Sequence, residues 1–106
     1  MSEGKDSYLL LKLFRTPIQV KMIEILLQYH DDYFTLSKMA KMIDASPGSI
    51  SKRITYLKEL GVIKFVEGSE KTRIFKLNVG NALADLLLDF YQKLNRIGVK
   101  NLKKQP

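Results

Sequence analysis

The sequence predicts a mainly α domain with one small β-hairpin, an α+β chain. Three observations carry this. A hydroxyl residue stands directly before proline at Thr16-Pro17 and at Ser46-Pro47, a pairing that starts helices: the side chain accepts an orphan amide, and proline occupies a position needing no amide partner. Two short alternating segments, Val62–Glu67 and Thr72–Leu77, flank "GSEK" and read as a hairpin. A long stretch from Asn81 to Ile97 repeats apolar residues at spacings of four and three, as a helical seam does.

Taken in order, Ser7–Phe14 is dense in apolar residues, and a short helix capped by Asp6 or Ser7 is expected there. Such a segment needs covering, by its own core or by a second subunit. Thr16 then starts a helix running to about Tyr29. It carries one stripe of Ile18, Met22, Ile25 and Tyr29 and another of Val20, Ile23 and Leu27, which marks the central core helix. "HDDYFT" breaks the pattern and permits a very short strand. Thr35 caps the next helix, with Leu36, Met39, Ala40 and Ile43 on one face. The helix opened by Ser46 and Pro47 runs to Leu60, with Ile50, Ile54 and Leu57 inward and Tyr56 and Leu60 beside them. Gly61 ends it, being tolerant of positive φ. In the hairpin, Ile63 and Phe65 match Phe75 and Leu77 in character. The last helix has a seam of Leu83, Leu87, Phe90, Leu94 and Ile97, with Ala84, Leu88 and Tyr91 as a second stripe. One stripe can pack on the domain; the other needs a partner. Residues 98–106 read as a basic tail, suited to phosphate contact or simply to solubility. The whole is one domain, 1–106.

Composition narrows the function. Of 106 residues 45% are hydrophobic, an ordinary globular share, and the net charge is +7. Residues 1–60 hold nine Lys/Arg against seven Asp/Glu, and residues 61–106 hold nine against four, so the excess gathers towards the C-terminal half. An anionic partner is expected, nucleic acid before an acidic membrane surface. With no cysteine, disulfides, thiolate zinc sites and cysteine nucleophiles are excluded. No apolar run approaches the roughly 20 residues of a membrane span, and "SYLLLKLF" lacks a basic leader or cleavage site, so a cytoplasmic location is expected. His30 beside Asp31 and Asp32 offers no tetrahedral ligand set and reads as a helix end followed by a polar turn. No phosphate-binding glycine loop and no assignable serine, histidine and acid arrangement appears, so no enzyme, metal or cofactor is expected.

The candidate site lies along "SPGSISKRIT". The inward set leaves Ser46, Pro47, Gly48, Ser49, Ser51, Lys52, Arg53 and Thr55 outward near the helix N-terminus, with no acid among them. Hydroxyls there can reach base edges or phosphates, and the two cations can neutralise phosphates or bond guanine. The bland alternative is a capped helix with a solvated face. Lys71, Thr72 and Arg73 form a second basic group at the hairpin tip, diluted by Glu67 and Glu70, and Lys38 is a further candidate phosphate contact.

The order helix, helix, turn, helix, hairpin, long helix resembles that of the arsenical-repressor-like and multiple-antibiotic-resistance-like winged-helix regulators, and the resemblance covers roughly Arg15 to Leu77. The residues that carry the resemblance are "TPIQVKMIEILL", "TLSKMAKMIDASPGSISKRITYLKELGVI" and the wing "GSEKTRIFKL". It implies a homodimeric double-stranded DNA-binding regulator, with recognition helix 47–60 in the major groove and wing 68–72 on the backbone or minor groove. The metal-sensing cysteines of the arsenical repressors are absent, so metal-controlled release is not carried over. The expected dimer surface comprises Tyr8, Leu9 and Leu11 with Leu83, Leu87, Leu88, Phe90, Tyr91, Leu94 and Ile97. The alternatives are a winged-helix protein-interaction module and a non-specific architectural DNA-binding protein.

Overall fold

The computed structural model describes residues 8–68 and 73–103. Helix α1 spans Leu9–Phe14 and is preceded by Tyr8, whose side chain makes no capping bond. The expected caps Asp6 and Ser7 lie outside the described residues, and the helix begins after both. Two polar contacts pin its C-terminal carbonyls. Gln19, buried in the core, donates its amide to the Leu13 carbonyl at 2.6 Å, and the Tyr56 hydroxyl donates to that of Lys12 at 2.6 Å. Helix ends leave such carbonyls without intrahelical partners, and these two side chains supply them.

Helices α2 (Pro17–Gln28), α3 (Leu36–Ile43) and α4 (Pro47–Leu60) start where the sequence places them. The hydroxyls of Thr16, Thr35 and Ser46 accept the amides of Gln19, Lys38 and Ser49 at 3.2, 3.1 and 3.2 Å. Helix α3 ends on Asp44 in the left-handed region, short of α4 by a tight turn. Ile50, Ile54 and Leu57 of α4 are fully buried against Met39, Ala40 and Ile43 of α3 and Met22, Ile23, Leu26 and Leu27 of α2. On α2 the inward face differs from both expected stripes. Leu26 is completely buried, whereas Val20 and Tyr29 are exposed.

The hairpin pairs β1 (Ile63–Phe65) with β2 (Phe75–Leu77), antiparallel, in the register Ile63↔Leu77, Lys64↔Lys76 and Phe65↔Phe75. Both strands are shorter than expected. The Val62 amide bonds the Leu57 carbonyl, so the chain is still completing the end of α4 where the sequence suggests a strand. "HDDYFT" supplies a bridge: Phe34 exchanges both backbone bonds with Phe75, at 2.8 and 2.9 Å, and their rings stack with centroids 6.1 Å apart.

Gly61 joins α4, the hairpin and the last helix. Its φ is +88°, and a Cβ there would meet the Asn81 amide nitrogen at 2.5 Å. Asn81 cannot easily yield, because its Oδ1 caps the last helix by accepting the amides of Leu83 and Ala84. Gly61→Ala is therefore expected to destabilise the fold by about 2–3 kcal/mol, from left-handed backbone strain plus the lost cap. A denaturant midpoint unchanged from the parent would contradict this.

Helix α5 spans Ala82–Lys103, six residues beyond the expected end. Residues 98–103 are thus helical, not a tail; residues 104–106 lie outside the described residues. Ala84 and Leu87 enter the core, with Leu83, Leu88 and Tyr91 packed beside them. Leu86, Phe90, Leu94 and Ile97 are exposed.

Candidate nucleic-acid interface

The N-terminal half of α4 is held forward by its own cap. The Ser46 hydroxyl accepts the Ser49 amide and donates to the Ser49 hydroxyl at 3.0 Å. Ser46, Gly48, Ser49, Lys52 and Arg53 line an open notch of ≈ 420 Å³ at this end. Pro47, Gly48 and Lys52 are exposed. A Cβ on Gly48 would meet only the Ser46 hydroxyl, at 4.0 Å, so no internal packing demands glycine here.

Arg53 is half-buried, and its Nε–H is shut away from solvent without a hydrogen-bond partner. Among the described residues, the ion pairs are His30–Asp31 and Lys93–Asp89. No carboxylate among them therefore neutralises Lys52 or Arg53. The dipole of α4 adds positive potential to the same end, although the Ser49 and Ile50 amides of its first turn are already bonded to Ser46.

Arg73 completes the patch from across the fold. With φ at +53°, its chain turns the guanidinium back over α4, where it donates to the Ser51 and Thr55 hydroxyls, both at 3.4 Å, above the Phe65 ring. This changes three assignments. Arg73, expected at the hairpin tip, instead lies against the helix. Ser51 and Thr55, expected to reach outward, hold that guanidinium. The remaining tip residues Lys71 and Thr72 lie outside the described residues.

Lys38 is engaged in its own turn. Its ammonium donates to the Tyr33 carbonyl at 3.0 Å and sits 4.7 Å from the centre of the Phe34 ring. Arg15 stacks on Tyr56 of α4 at 4.6 Å, a cation absent from the sequence-based candidates. Only the assembled fold brings these together, since the residues are far apart in the chain.

The residues expected at a dimer surface divide into two groups. Leu87 belongs to the chain's own core, and Leu83, Leu88 and Tyr91 are partly covered by it. Tyr8, Leu9, Leu11, Phe90, Leu94 and Ile97 are exposed. Phe14, Val20, Leu27, Phe90, Tyr91 and Leu94 line an apolar groove of ≈ 190 Å³ between α2 and α5. At its rim the Tyr91 hydroxyl lies 3.5 Å from Glu24, and partial burial together with that carboxylate raises the phenol above its ordinary pKa.

Among the described residues there is no group of three or more His, Cys, Asp or Glu that could hold a metal ion, and no helix long and apolar enough to cross a membrane. No protein-family model matches the chain, and no curated protein matches it. Solved structures do match in shape. ZitR of Lactococcus lactis, as a cysteine-to-serine mutant in complex with DNA, superposes with a TM-score of 0.59 at 17% identity over 79% of this chain and 57% of that one. Reduced HlyU of Vibrio cholerae gives 0.59 at 16% identity, covering 84% of both chains. The adhesin competence repressor AdcR of Streptococcus pyogenes gives 0.59 at 16%, over 79% of this chain and 61% of that one. In these two superpositions the chain thus spans less than two thirds of the length of ZitR and of AdcR. Identity this low speaks for architecture alone, and the chain has the winged helix–turn–helix fold that these three proteins share.

Proposed function

We propose that this chain is a homodimeric transcription regulator that binds double-stranded DNA, placing α4 in the major groove and repressing by occupying its operator. One observation carries the reading. The outward face of α4 assembles Lys52, Arg53 and Arg73 around small residues, with no carboxylate paired to any of them among the described residues. Three cations beside a helix N-terminus suit phosphate and guanine edges, and the small residues allow close approach. The likeness to ZitR, whose structure was solved with DNA, supports the choice of ligand.

The dimer is proposed from the exposed apolar residues. Phe90, Leu94 and Ile97 on α5 and Tyr8, Leu9 and Leu11 at α1 are too many for a solvated surface of this size. A two-fold partner would cover them and would present two copies of α4 to half-sites about 34 Å apart.

A second reading, a sequence-tolerant DNA coater, has its own support. The Ser46 hydroxyl caps the helix and donates to the Ser49 hydroxyl, and those of Ser51 and Thr55 hold Arg73, so all four hydroxyls already serve the protein. That leaves fewer groups to read bases. Selection of bound duplexes from a random pool separates the two: a regulator enriches a palindrome with a fixed half-site spacing. Recovery of unenriched sequence at high affinity identifies the coater. Indifference to DNA even at low salt removes both and favours a protein-interaction module.

A further inference from the structure

The proposed interface uses one side of the hairpin; the other side carries a separate charge arrangement. The register sets Lys64 directly opposite Lys76. Side chains alternate along a strand, and Ile63, Phe75 and Leu77 are buried, so both lysines project from the outer face. The Phe34↔Phe75 bridge extends the row by one more position, placing Tyr33 beside Lys76. The Lys76 ammonium indeed sits 4.9 Å from the centre of the Tyr33 ring, and Tyr33 is 55% exposed. Lys38 approaches the same corner through the Tyr33 carbonyl.

Like charges directly across a strand pair repel, with Cβ atoms only about 5 Å apart. Among the described residues, no ion pair relieves Lys38, Lys64 or Lys76. The nearest acids in sequence to Tyr33 are Asp31, which is held by His30, and Asp32. An anion bridging the two ammoniums would remove the repulsion, and an ammonium recognises phosphate as a point charge needing little shape.

We propose that the outer face of the hairpin, centred on Lys64 and Lys76 with Tyr33 beside them, is a second phosphate-binding surface for nucleic acid. It faces away from the packed side of the sheet, on which α4 lies. It therefore engages either the flank of a duplex bent around the molecule or a second duplex. This surface shares with the reading of α4 the premise that nucleic acid is the ligand, and its test keeps the two apart.

The experiment compares the Lys64→Gln/Lys76→Gln double variant with the parent and with Lys64→Arg/Lys76→Arg, by salt titration of duplex binding. The glutamine pair is expected to lower the log–log salt slope by about 0.9 for each phosphate no longer neutralised, while the arginine pair keeps the parent slope. A weakening on a long duplex but not on one trimmed to the protected core assigns the flank. Disappearance of energy transfer between two labelled duplexes, with single-duplex affinity unchanged, assigns a second duplex. An unchanged slope together with unchanged bridging overturns the proposal, leaving the lysines as guards of an edge strand, as self-association of the glutamine variant would show. Sensitivity to Lys52→Ala/Arg53→Ala alone overturns this surface and spares α4; sensitivity to Lys64→Gln/Lys76→Gln alone does the reverse.

Discussion

Lys52→Ala/Arg53→Ala is expected to weaken duplex binding by about 2–4 kcal/mol, roughly 30- to 700-fold, with little change in folding stability. The two residues should fail differently. Lys52 is exposed and has no carboxylate partner among the described residues, so Lys52→Ala alone should weaken binding to all sequences alike and lower the salt slope by about 1. Arg53 is half-buried with its Nε–H shut away from solvent, so a bidentate contact falls to its terminal nitrogens. Its replacement should cost about 1–3 kcal/mol on the preferred sequence and less on others, relaxing discrimination at one position. Stability should hold because Arg53→Ala removes a buried donor that has no partner to strand. Fluorescence anisotropy against salt, read beside the thermal midpoint, checks both halves. Parent-like affinity and slope in the double variant would refute the placement of DNA on α4.

Gly48 offers a complementary probe of the same surface. Alanine fits there with no more than an ordinary contact to the Ser46 hydroxyl and is the better helix former, so Gly48→Ala should raise stability by up to about 1 kcal/mol. If DNA packs closely on this turn, the added methyl should nonetheless weaken binding. A variant that gains both stability and affinity would argue that the groove floor does not approach Gly48.

What the sequence shows depends on how locally each feature is determined. Thr16-Pro17 and Ser46-Pro47 fix helix starts through bonds three residues away, so α2 and α4 begin where expected. Burial of Ile50, Ile54 and Leu57 follows from spacing alone. The hairpin register is legible in its apolar pairs, but its ends are not, because the Val62 amide is claimed by α4. Nothing local announces that Arg73 reaches Ser51 and Thr55, 22 and 18 residues away. Gly98 stands just past the expected end of α5, yet the helix continues through it to Lys103; a single glycine costs a helix only about 1 kcal/mol, too little to stop it. The four-and-three spacing of α5 marks its apolar seam without saying which member faces inward. The position of α2, against which Leu87 is buried, settles that question.

The burial of Leu87 decides how the dimer must be tested. Leu87→Lys would bury a charge in the chain's own core and unfold the domain, whatever its oligomeric state. Phe90→Lys/Ile97→Lys is the discriminating variant, since these side chains are 55% and 74% exposed in the single chain. Within an apolar two-fold contact the lysines would be desolvated and would repel their symmetry mates, so a folded monomer is expected. Each copy of α4 would then meet DNA alone. Breaking the linkage between half-sites should cost about 10²- to 10⁴-fold in affinity for a full palindrome and nothing for an isolated half-site. Sedimentation and binding to both duplexes measure the two effects together. A dimer that survives the substitutions places the contact elsewhere on the chain. A parent that sediments as a monomer, yet protects a full palindrome, would mean that DNA itself brings the two copies together.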